Sequence, residues 1–476
     1  MANKTYDAIV IGGGPGGYPC AIRLGQLGQS VLVVEKEYVG GVCLNWGCIP
    51  SKALIAASGL YERMQHAEKM GIKVTGVELD VGKMQDWKEG IVKKLTSGVS
   101  ALIKANKGDI VMGHARFTGP KSVEVTKADG SKETFEATKG IVISTGATPI
   151  QLPFLPVDGK TVMTAREAVS MREAKGTLLI IGGGVIGMEL GMVYQKLGMK
   201  VIVVEMLDQL LGTTDPDLVA VVQKAFEKAG GEVLLKTKAK SAKTEGGKVT
   251  LTVELPDGKT RDIVADKVLE SIGFRPNSKD LGLEKAGVKT DDRGHITTND
   301  KLETNVKGIY AIGDVSGAPY LAHKATKEGE IAAEIVAGHK SARDWRGMPS
   351  AIFTEPEIAT VGLSEREAKQ QGKAVKLGKF PFSVLGRAMA IDSTEGFVKV
   401  ILDAETNEVL GVAIVGPEAS DLISESALAI EMCAFAEDVA MTIHPHPTLG
   451  EGVMEAFKQA LGEAIHTNNR PPRPSV

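Results

Sequence analysis

The chain has 476 residues, too many for one ordinary hydrophobic core, so two to four domains are expected. Hydrophobic residues make up 43% and charged residues 24% of the chain, which is the usage of globular proteins. The formal net charge is -3, which excludes a whole-chain field that would attract nucleic acid or a membrane surface.

The N-terminal residues pass directly from a short polar stretch into an apolar strand and a glycine cluster. They lack the basic leader and separate apolar region of a signal peptide. No apolar run approaches the ~20 residues that a membrane-spanning helix needs. From these features we expect a cytoplasmic protein.

The first predicted elements are a strand, a glycine cluster and a second strand, and they recur later in the chain. DAIVIGGGPGG at Asp7–Gly17 reappears as LLIIGGGVIG at Leu178–Gly187. VLVVEKE at Val31–Glu37 reappears as VIVVEML at Val201–Leu207. The glycine clusters and the acidic residues share one offset of 170 positions, from 12 to 182 and from 35 to 205. A shared offset predicts two copies of one βαβ unit.

Each copy has the GxGxxG pattern of a dinucleotide-binding turn, followed by an acid. The residues are Gly12, Gly14, Gly17 and Glu35 in the first copy and Gly182, Gly184, Gly187 and Glu205 in the second. The glycines allow a tight turn, close approach of a pyrophosphate and close packing of helix on strand. The acid can accept hydrogen bonds from ribose hydroxyls. Because Glu205 is followed directly by Met206 and Leu207 and not by an arginine, the second site favours NAD over NADP. Glycines alone could be simple turns, but the ordered strand, glycines, helix and acid argue against that.

Pro19 falls just past the first turn of the first predicted helix. Proline inside a helix costs up to ~3 kcal/mol, although it is tolerated at the helix start. Either this helix begins later than the pattern places it or it is locally distorted, and the sequence leaves both open.

The region between the copies contains an amphipathic helix pattern at Gly90–Asn106 and an exit strand at Gly140–Pro149, followed by a turn-rich linker. The last residues, from His466 onward, are polar and Pro-rich and are expected to be mobile. We place the domain boundaries at 1–150, 151–277, 278–346 and 347–476. The predicted fold class is α/β, with two Rossmann-like dinucleotide-binding domains, a central domain and a C-terminal α+β domain.

The four cysteines are Cys20, Cys43, Cys48 and Cys433, too few for a disulfide scaffold. In a reducing compartment, a pair as close as Cys43 and Cys48 in GGVCLNWGCIPSK is redox-active or metal-binding. Zinc is disfavoured because CxxxxC is wider than most zinc knuckles and no second ligand pair follows, so no metal site is expected. Two dinucleotide sites with one close cysteine pair predict a flavoprotein disulfide reductase.

GGVCLNWGCIPSKAL at Gly40–Leu54 resembles the redox-active segment of the dihydrolipoamide dehydrogenases, a class I group of the pyridine nucleotide-disulfide oxidoreductases. The resemblance covers nearly the whole chain, because AIGDV at Ala311–Val315, AHKA at Ala322–Ala325 and HPHPTLGE at His444–Glu451 follow in the family's order. It implies FAD in the first domain, NAD in the second, FAD contacts in the central domain and a C-terminal dimerisation domain. The implied partners are a second copy of the chain and the lipoyl domains and acyltransferase core of a 2-oxo acid dehydrogenase complex, or the lipoyl protein of glycine cleavage.

The resemblance also implies roles for individual residues. Cys43 would exchange with the dithiol substrate, and Cys48 would lie against the flavin as a charge-transfer thiolate. Lys52 would lie near the flavin and pair with Glu189 of the NAD-binding domain. The remaining implied contacts are Thr145, Gly146, Asp314 and Ala322 with FAD, and Gly273 with NAD.

His446 would be the general base and Glu451 would hold its ring. A dithiol attacks a disulfide as a thiolate, so a base that titrates near neutrality is needed, and a carboxylate on the far ring nitrogen fixes the tautomer. The alternative for both histidines of this motif is a Pro-rich turn with solvated imidazoles. The complete HPTLGE match favours catalysis for His446, whereas His444 keeps the solvated interpretation.

An apolar stripe near the C-terminus suits either a domain core or a subunit interface. It consists of Leu422, Leu428, Ile430, Cys433 and Phe435. Cys433, like Cys20, is expected to pack as a small hydrophobic residue, because free cysteines are commonly buried.

The implied reaction begins with proton transfer from dihydrolipoamide to His446. The resulting thiolate attacks Cys43, the second substrate thiol releases lipoamide, and electrons pass through Cys48 to the flavin and as hydride to NAD. Related glutathione and mercuric reductases would need basic NADP-binding residues or a C-terminal cysteine pair, and neither is present. A redox-sensing flavoprotein without turnover is the alternative from another class, but it would need a missing catalytic part.

Overall fold

The computed structural model describes residues 4–469. Residues 470–476, which include most of the tail expected to be mobile, lie outside the described residues. The chain forms two compact units. Unit 1 joins the chain up to Ala174 with Ile272–Asp344, and unit 2 joins Lys175–Ser271 with the chain from Trp345 onward. Each unit therefore combines two segments that are distant in sequence.

The elements of the chain up to Ala174 belong to unit 1. Its strands are β1 (Lys4–Ile11), β2 (Val31–Glu35), β3 (Gly108–Met112), β4 (His114–Gly119), β5 (Ser122–Thr126), β6 (Lys132–Ile143), β7 (Ala147–Pro149) and β8 (Val162–Met163). Its helices are α1 (Gly17–Gln26), α2 (Gly41–Asn45), α3 (Cys48–Gln65), α4 (Val81–Ala105) and α5 (Ala165–Ala168), with a 3-10 turn at Ala67–Met70.

The next segment belongs to unit 2. It contains β9 (Thr177–Ile181), α6 (Val185–Lys196), β10 (Lys200–Val204), α7 (Pro216–Lys228), β11 (Glu232–Leu234), β12 (Lys238–Glu245), β13 (Lys248–Glu254), β14 (Thr260–Ala265) and β15 (Lys267–Glu270). The chain then returns to unit 1 with β16 (Phe274–Pro276), α8 (Leu283–Ala286), β17 (Ile309–Ala311), a 3-10 turn at Gly313–Ser316 and α9 (Ala322–Val336).

The last segment completes unit 2. Its strands are β18 (Ser350–Ile352), β19 (Glu357–Gly362), β20 (Val375–Pro381), β21 (Phe397–Asp403) and β22 (Val409–Gly416). Its helices are α10 (Glu365–Gln370), α11 (Gly386–Ala390), α12 (Ala419–Glu431), α13 (Ala436–Met441) and α14 (Glu451–Leu461), with a 3-10 turn at Phe382–Val384.

The main sheet of unit 1 has the strand order β3-β2-β1-β6-β5-β4, and β17 also pairs with β6. β3, β2, β1, β6 and β17 are parallel neighbours, whereas β5 and β4 run antiparallel. All residues of β2 are buried, as expected for a parallel strand that is covered on both faces. The first glycine cluster follows the carboxyl end of β1, which is the edge where such sheets bind ligands.

Unit 2 contains three groups of strands. β11, β10, β9 and β15 are parallel neighbours in that order, and β12, β13 and β14 form an antiparallel meander. The C-terminal segment forms an antiparallel sheet in the order β18-β19-β22-β21-β20. Its buried face packs against helices in one cluster that includes Phe380, Val400, Ile414 and Phe457.

The start of α1 explains how the first copy accommodates Pro19. α1 is assigned from Gly17, but the helical hydrogen bonds begin earlier, because the Tyr18 N–H donates to the Gly14 carbonyl at 3.0 Å and Gly16 already has helical φ and ψ values of -88° and -43°. Pro19 therefore lies just past the first turn, at a position whose N–H would continue this series. The carbonyl of Pro15, which such an N–H would otherwise reach, accepts a hydrogen bond from Thr326 Oγ1 at 2.9 Å. The local-distortion alternative is therefore correct, because the helix lacks one hydrogen bond at Pro19 and Thr326 supplies the donor instead.

Helix α4 is longer than the predicted Gly90–Asn106 and starts at Val81. Asp80 caps it, because its carboxylate accepts the Lys83 N–H at 2.9 Å. In the first turns of α4, polar residues are buried and an aromatic residue is exposed, the reverse of the usual burial pattern. Gln85 and Lys88 are buried, while Trp87 is 51% exposed. Gln85 and Lys88 donate to the Met171 and Val169 carbonyls at 2.8 and 3.2 Å, a long-range pairing that no local pattern reveals.

Of the two cysteines outside the redox pair, Cys433 in unit 2 differs from its prediction. Cys20 is buried as expected, but Cys433 is exposed, so the buried packing predicted for it is wrong. α12 ends at Glu431, and Cys433 lies just beyond this end with a positive φ of 55°. The stripe divides accordingly: Ile430 is buried in the core, whereas Leu428 is 60% exposed.

Candidate active site

The first glycine turn, between β1 and α1, requires glycine at both of its close contacts. Gly12 has a φ of 103°, and its N–H donates to the Val34 carbonyl at 2.8 Å. A Cβ there would lie 2.2 Å from the Ser144 carbonyl oxygen, and one at Gly17 would lie 1.8 Å from the Gly12 oxygen. A larger residue at either position would push apart the strand and the helix whose N-terminus faces the turn.

Glu35, at the end of β2, closes this turn. Its Oε2 accepts the Gly13 N–H at 2.7 Å, and its Oε1 accepts the Glu37 N–H at 2.7 Å. A cavity of about 280 Å³ is lined in part by Glu37 and Tyr38, which follow Glu35 in the chain, and by Asn45. A nucleotide at this turn would therefore find an oriented carboxylate, open space and helix N–H donors, so the residues present fit a dinucleotide.

The second turn, between β9 and α6, repeats these contacts. Gly182 has a φ of 102° and donates its N–H to the Val204 carbonyl at 2.9 Å. Glu205 Oε2 accepts the Gly183 N–H at 2.7 Å, and Oε1 accepts the Leu207 N–H at 2.8 Å. A Cβ at Gly184 would meet nothing within 4 Å, so a pyrophosphate could approach its backbone. This turn fits a second dinucleotide.

The cysteine pair is built by two consecutive helices of unit 1. Cys43 lies on α2, and Cys48 is the first residue of α3. Their side chains are hydrogen-bonded to each other. Gly47 makes this possible, because a Cβ there would lie 2.9 Å from the Val42 carbonyl oxygen and 3.2 Å from Cys43 Cα. The start of an 18-residue helix also favours negative charge on the Cys48 sulfur.

The surroundings of the pair disfavour the ionised form of Cys43. The side-chain hydrogen bond with Cys48 and burial both raise the pKa of the Cys43 thiol, whereas a hydrogen bond with the Cys48 backbone and the positive charge of Lys52 lower it in part. Lys52 therefore lies close enough to act on the pair. Tyr18, on α1, also faces it: burial raises the pKa of its phenol, and the charges of Cys43 and Cys48 raise it further.

Several residues that support the cysteine pair were missed as functional residues in the sequence. Asn45 Nδ2 donates to the Gly41 carbonyl at 2.8 Å, and Ser51 Oγ donates to the Gly47 carbonyl at 2.8 Å. Trp46 stands between the cysteines, with the Arg166 guanidinium 4.2 Å from its ring centre. The Asn and Ser belong to the CLNWGCIPSK motif, so the sequence contained a signal for their role. Arg166 is distant in sequence from the motif, and no local pattern indicated its contact with Trp46.

Asp314 lies in the 3-10 turn after β17, and burial raises the pKa of its carboxyl. The turn is held from α9, which starts at Ala322. Glu328 Oε2 accepts the Gly313 N–H at 2.7 Å, and Lys324 Nζ donates to the Gly317 carbonyl at 3.0 Å. Lys324 and Glu328 were not identified from the sequence as support for this turn.

Asn277, which follows β16, is hydrogen-bonded to Thr145 and Gly146, which follow β6. The Asn277 Nδ2 donates to the Thr145 carbonyl at 2.9 Å, and its backbone N–H donates to the Gly146 carbonyl at 2.9 Å. Gly273, with a φ of 122°, accepts the Ile150 N–H at 2.9 Å in the same ribbon. Gly273 thus belongs to unit 1, whereas the other residues predicted for NAD belong to unit 2.

His446 lies in the loop before α14 and has 79% of its side chain exposed. Its Nδ1 is 2.9 Å from Glu451 Oε1, and Glu451 Oε2 accepts the Thr448 N–H at 2.8 Å. Burial opposes ionisation of Glu451, but these hydrogen bonds outweigh it and hold the pKa of its carboxyl below the usual value. An ionised Glu451 accepts the Nδ1–H, which leaves Nε2 as the proton acceptor that faces outward.

His444 is not the solvated imidazole expected from the sequence. Only 6% of its side chain is exposed. Its Nε2 is 2.9 Å from Glu425 Oε1, and its Nδ1 is 2.9 Å from the Thr442 carbonyl oxygen. The hydrogen bond with Glu425 raises the pKa of the imidazole, against the effect of burial. His444 therefore anchors the loop that carries His446.

Glu189, on α6, is buried, and its Oε1 accepts the Phe353 N–H at 2.9 Å. Lys52 belongs to unit 1 and Glu189 to unit 2, so their pairing stays a prediction. Among residues 4–469, no group of three or more His, Cys, Asp or Glu side chains could hold a metal ion. Within the same range, no helix is long and apolar enough to cross a membrane.

Comparison with known proteins identifies the family of this chain. The family described as pyridine nucleotide-disulphide oxidoreductase matches residues 6–329, and its dimerisation domain matches residues 348–457. The chain belongs to the pyridine nucleotide-disulphide oxidoreductase family. The predicted fold class, enzyme class and cofactors, FAD and NAD, are thereby confirmed at the level of the family.

Relatives within this family match over nearly the full length. The dihydrolipoyl dehydrogenase of Thermus scotoductus is 48% identical, covering 98% of this chain and 100% of the relative. The dihydrolipoyl dehydrogenase of Geobacillus stearothermophilus is 46% identical, covering 97% of each chain. The crystal structure of LpdA from Mycobacterium tuberculosis aligns with a TM-score of 0.89 at 28% identity, covering 95% of this chain and 99% of that chain.

Proposed function

We propose that this family member is a dihydrolipoyl dehydrogenase, which reoxidises protein-bound dihydrolipoamide through Cys43 and Cys48 with FAD and NAD. The observation that carries the proposal is the side-chain contact between Cys43 and Cys48 at the start of α3, directly beside the first dinucleotide-binding turn. The relatives that match over nearly the full length and bear this enzyme name support the choice of substrate.

The two turns would hold the two cofactors. The turn closed by Glu35 would hold FAD together with Lys52, Asp314 and Ala322, and the turn closed by Glu205 would hold NAD. When bound, the flavin supplies the acceptor for the electron pair of the cysteines and NAD supplies the acceptor for hydride. The protein holds these groups in place and keeps the sulfurs in contact.

The thiol chemistry follows from the geometry of the residues. His446 Nε2, oriented by Glu451, would take a proton from one thiol of dihydrolipoamide. The thiolate would attack Cys43 Sγ of the Cys43–Cys48 disulfide, forming a mixed disulfide and releasing the Cys48 thiolate. The second substrate thiol would then attack the mixed disulfide, releasing oxidised lipoamide and the Cys43 thiol. Because the pKa of the Cys43 thiol is raised, this sulfur would leave as a thiol, and it would take up the proton of the second substrate thiol.

A homodimer is part of the proposal, with His446 of one subunit serving the cysteine pair of the other. The match of residues 348–457 to a dimerisation domain supports it. Exposed apolar side chains on that segment also support it: Met441 is 76% exposed and Ile443 is 94% exposed, close in sequence to His446. Apolar exposure of this kind marks protein interfaces.

The proposed partners are lipoyl domains on the acyltransferase core of a 2-oxo acid dehydrogenase complex, or the lipoyl protein of glycine cleavage. A cytoplasmic location is also proposed. Four cysteines with one close pair suit a reducing compartment, where a dithiol can cycle between its two redox states.

The decisive experiment mixes the purified holoenzyme with NAD and dihydrolipoamide and follows NADH absorbance. We expect rapid NADH formation, and a loss of about a hundredfold or more when His446→Gln removes the base. A matched control is His66→Gln, which changes a histidine outside the site. A yellow protein that forms no NADH would instead support a sensor without turnover and refute the proposal.

A further inference from the structure

Three polar side chains of unit 1 form a hydrogen-bonded chain outside the residues described so far. Asp291 Oδ2 lies 3.1 Å from His295 Nδ1, and His295 Nε2 lies 2.7 Å from the Tyr320 hydroxyl. The Asp291 side chain is 40% exposed and the His295 side chain 15%. The chain therefore links an exposed carboxylate, through a mostly buried imidazole, to a partly exposed phenol.

The direction of each hydrogen bond follows from the charge of Asp291. Burial opposes its ionisation, but hydrogen bonds from the backbone and ring of His295 and from the Arg293 N–H outweigh burial and hold the pKa of Asp291 below its usual value. An ionised carboxylate only accepts, so His295 Nδ1 carries the hydrogen and Nε2 of the neutral ring is an acceptor. The Tyr320 hydroxyl must then donate to Nε2, and its oxygen remains an acceptor on its other side.

Tyr320 is fixed next to the turn that carries Asp314. It lies two residues before α9, and its ring meets Phe274 edge-on with 6.3 Å between centroids. Burial raises the pKa of Tyr320, and the nearby charge of Asp314 is the next largest cause. The Ile296 N–H donates to the Val315 carbonyl at 2.9 Å, so His295 and the phenol bonded to it lie beside the turn that carries Asp314. The phenol oxygen and the Asp314 carboxylate are two acceptors in this region, and the donors that suit such a pair are the adjacent hydroxyls of a polyol.

We propose that Asp291 and His295 are positioning residues that orient the Tyr320 oxygen as a second acceptor for the polyol hydroxyls of the FAD side chain, beside Asp314. The inference rests on the proposed FAD site but not on the identity of the thiol substrate. The carboxylate and the oriented phenol share the task of holding the cofactor. His295 acts only through Tyr320, so the two residues form one functional unit.

The test measures the rate of FAD release from the purified holoenzyme, followed by the rise of free-flavin fluorescence after dilution. Tyr320→Phe keeps the ring on Phe274 and removes the acceptor, and we expect release about fivefold faster, the value of one net hydrogen bond. His295→Leu should give a similar or slightly smaller increase, because the phenol loses its orientation. The double variant should release FAD no faster than Tyr320→Phe alone.

Two further variants separate orientation from packing. His295→Gln can donate an amide N–H to Asp291 and accept from Tyr320, so it should restore release to within about twofold of the unchanged protein. Tyr6→Phe is the matched control, because Tyr6 likewise donates to a carboxylate, that of Asp109, at 2.7 Å in the same unit. It should leave FAD release unchanged.

Unchanged release in Tyr320→Phe, or additive effects in the double variant, would overturn the inference. Equal release from His295→Gln and His295→Leu would also overturn it, since orientation would then not matter. The proposed function fails separately, because a holoenzyme that retains FAD but forms no NADH from dihydrolipoamide leaves these release rates measurable.

Discussion

The two glycine turns have nearly the same backbone geometry and hydrogen bonds, yet the segments that follow them differ in structure. Gly12 and Gly182 have φ values of 103° and 102°, and Glu35 and Glu205 accept the same pair of backbone N–H groups. In both copies the chain also returns to the turn, where Gly40 donates to the Gly13 carbonyl at 2.8 Å and Leu211 to the Gly183 carbonyl at 2.9 Å.

The difference begins at that returning residue. In the first copy, Gly40 and Gly41 have positive φ values and lead directly into α2 with Cys43. In the second copy, Met206 and Leu207 remain 63% and 50% exposed, and a Cβ at Gly184 would meet no atom within 4 Å. One turn is therefore joined to reactive sulfurs and suits a cofactor that stays bound, whereas the other stays open and suits a cofactor that exchanges at each turnover.

The largest effect should come from the segment that the first copy alone carries. Cys48→Ser removes the sulfur that leaves when Cys43 is attacked, so NADH formation from dihydrolipoamide should fall by about a thousandfold or more. Flavin content should stay unchanged, because both turns are intact, and anaerobic NADH should still bleach the flavin. Cys433→Ser, at an exposed position, is the control and should keep full activity.

Equivalent glycine substitutions should separate the two turns. Gly17→Ala places a Cβ 1.8 Å from the Gly12 oxygen and should lower bound flavin at least about tenfold. Gly187→Ala places one 2.3 Å from the Gly182 oxygen and should raise the KM for NAD about tenfold while the flavin remains. Gly90→Ala, in open space on α4, is the matched control. If both variants lost flavin equally, the assignment of one cofactor to each turn would be wrong.

The acids offer a milder form of the same comparison. Glu205→Gln sets an amide N–H against the backbone N–H of Gly183 or Leu207, and a lost charged hydrogen bond corresponds to about a tenfold rise in KM for NAD. Steady-state kinetics at constant flavin content would measure it. Glu35→Gln should leave this KM unchanged and weaken FAD retention instead, and a rise in NAD KM from Glu35→Gln would contradict the division of labour.

The smallest effect concerns the proline that only the first copy contains. Thr326→Val removes the hydroxyl that donates to the Pro15 carbonyl, which should destabilise the protein by about 1 kcal/mol and lower the melting temperature by roughly 1–2 °C. Differential scanning calorimetry of the holoenzyme would show it. Thr118→Val, which loses an exposed hydrogen bond to Ser122, is the control and should shift the melting temperature less.

Local patterns predicted much of the molecule because short-range physics determines them. Each glycine turn and the cysteine pair are short stretches of consecutive residues, and each acid contacts its turn across 22 positions within one βαβ unit. Tight turns and helix starts depend on such neighbours. The Glu451 contact of His446 was equally local, five positions along the chain. Burial was harder, since Gln85 and Lys88 are covered by a segment about 80 positions away.

The sequence by itself determined the two dinucleotide-binding turns, the redox pair between them and the family to which they belong. Only the tertiary structure decided how these parts are supported: Thr326 beside Pro15, Asn277 across β7 and β16, Arg166 over Trp46, Glu425 against His444, and the chain from Asp291 to Tyr320. The physical reason is that a hydrogen bond between side chains distant in sequence leaves no periodic or local signal, because it forms only after the chain has folded.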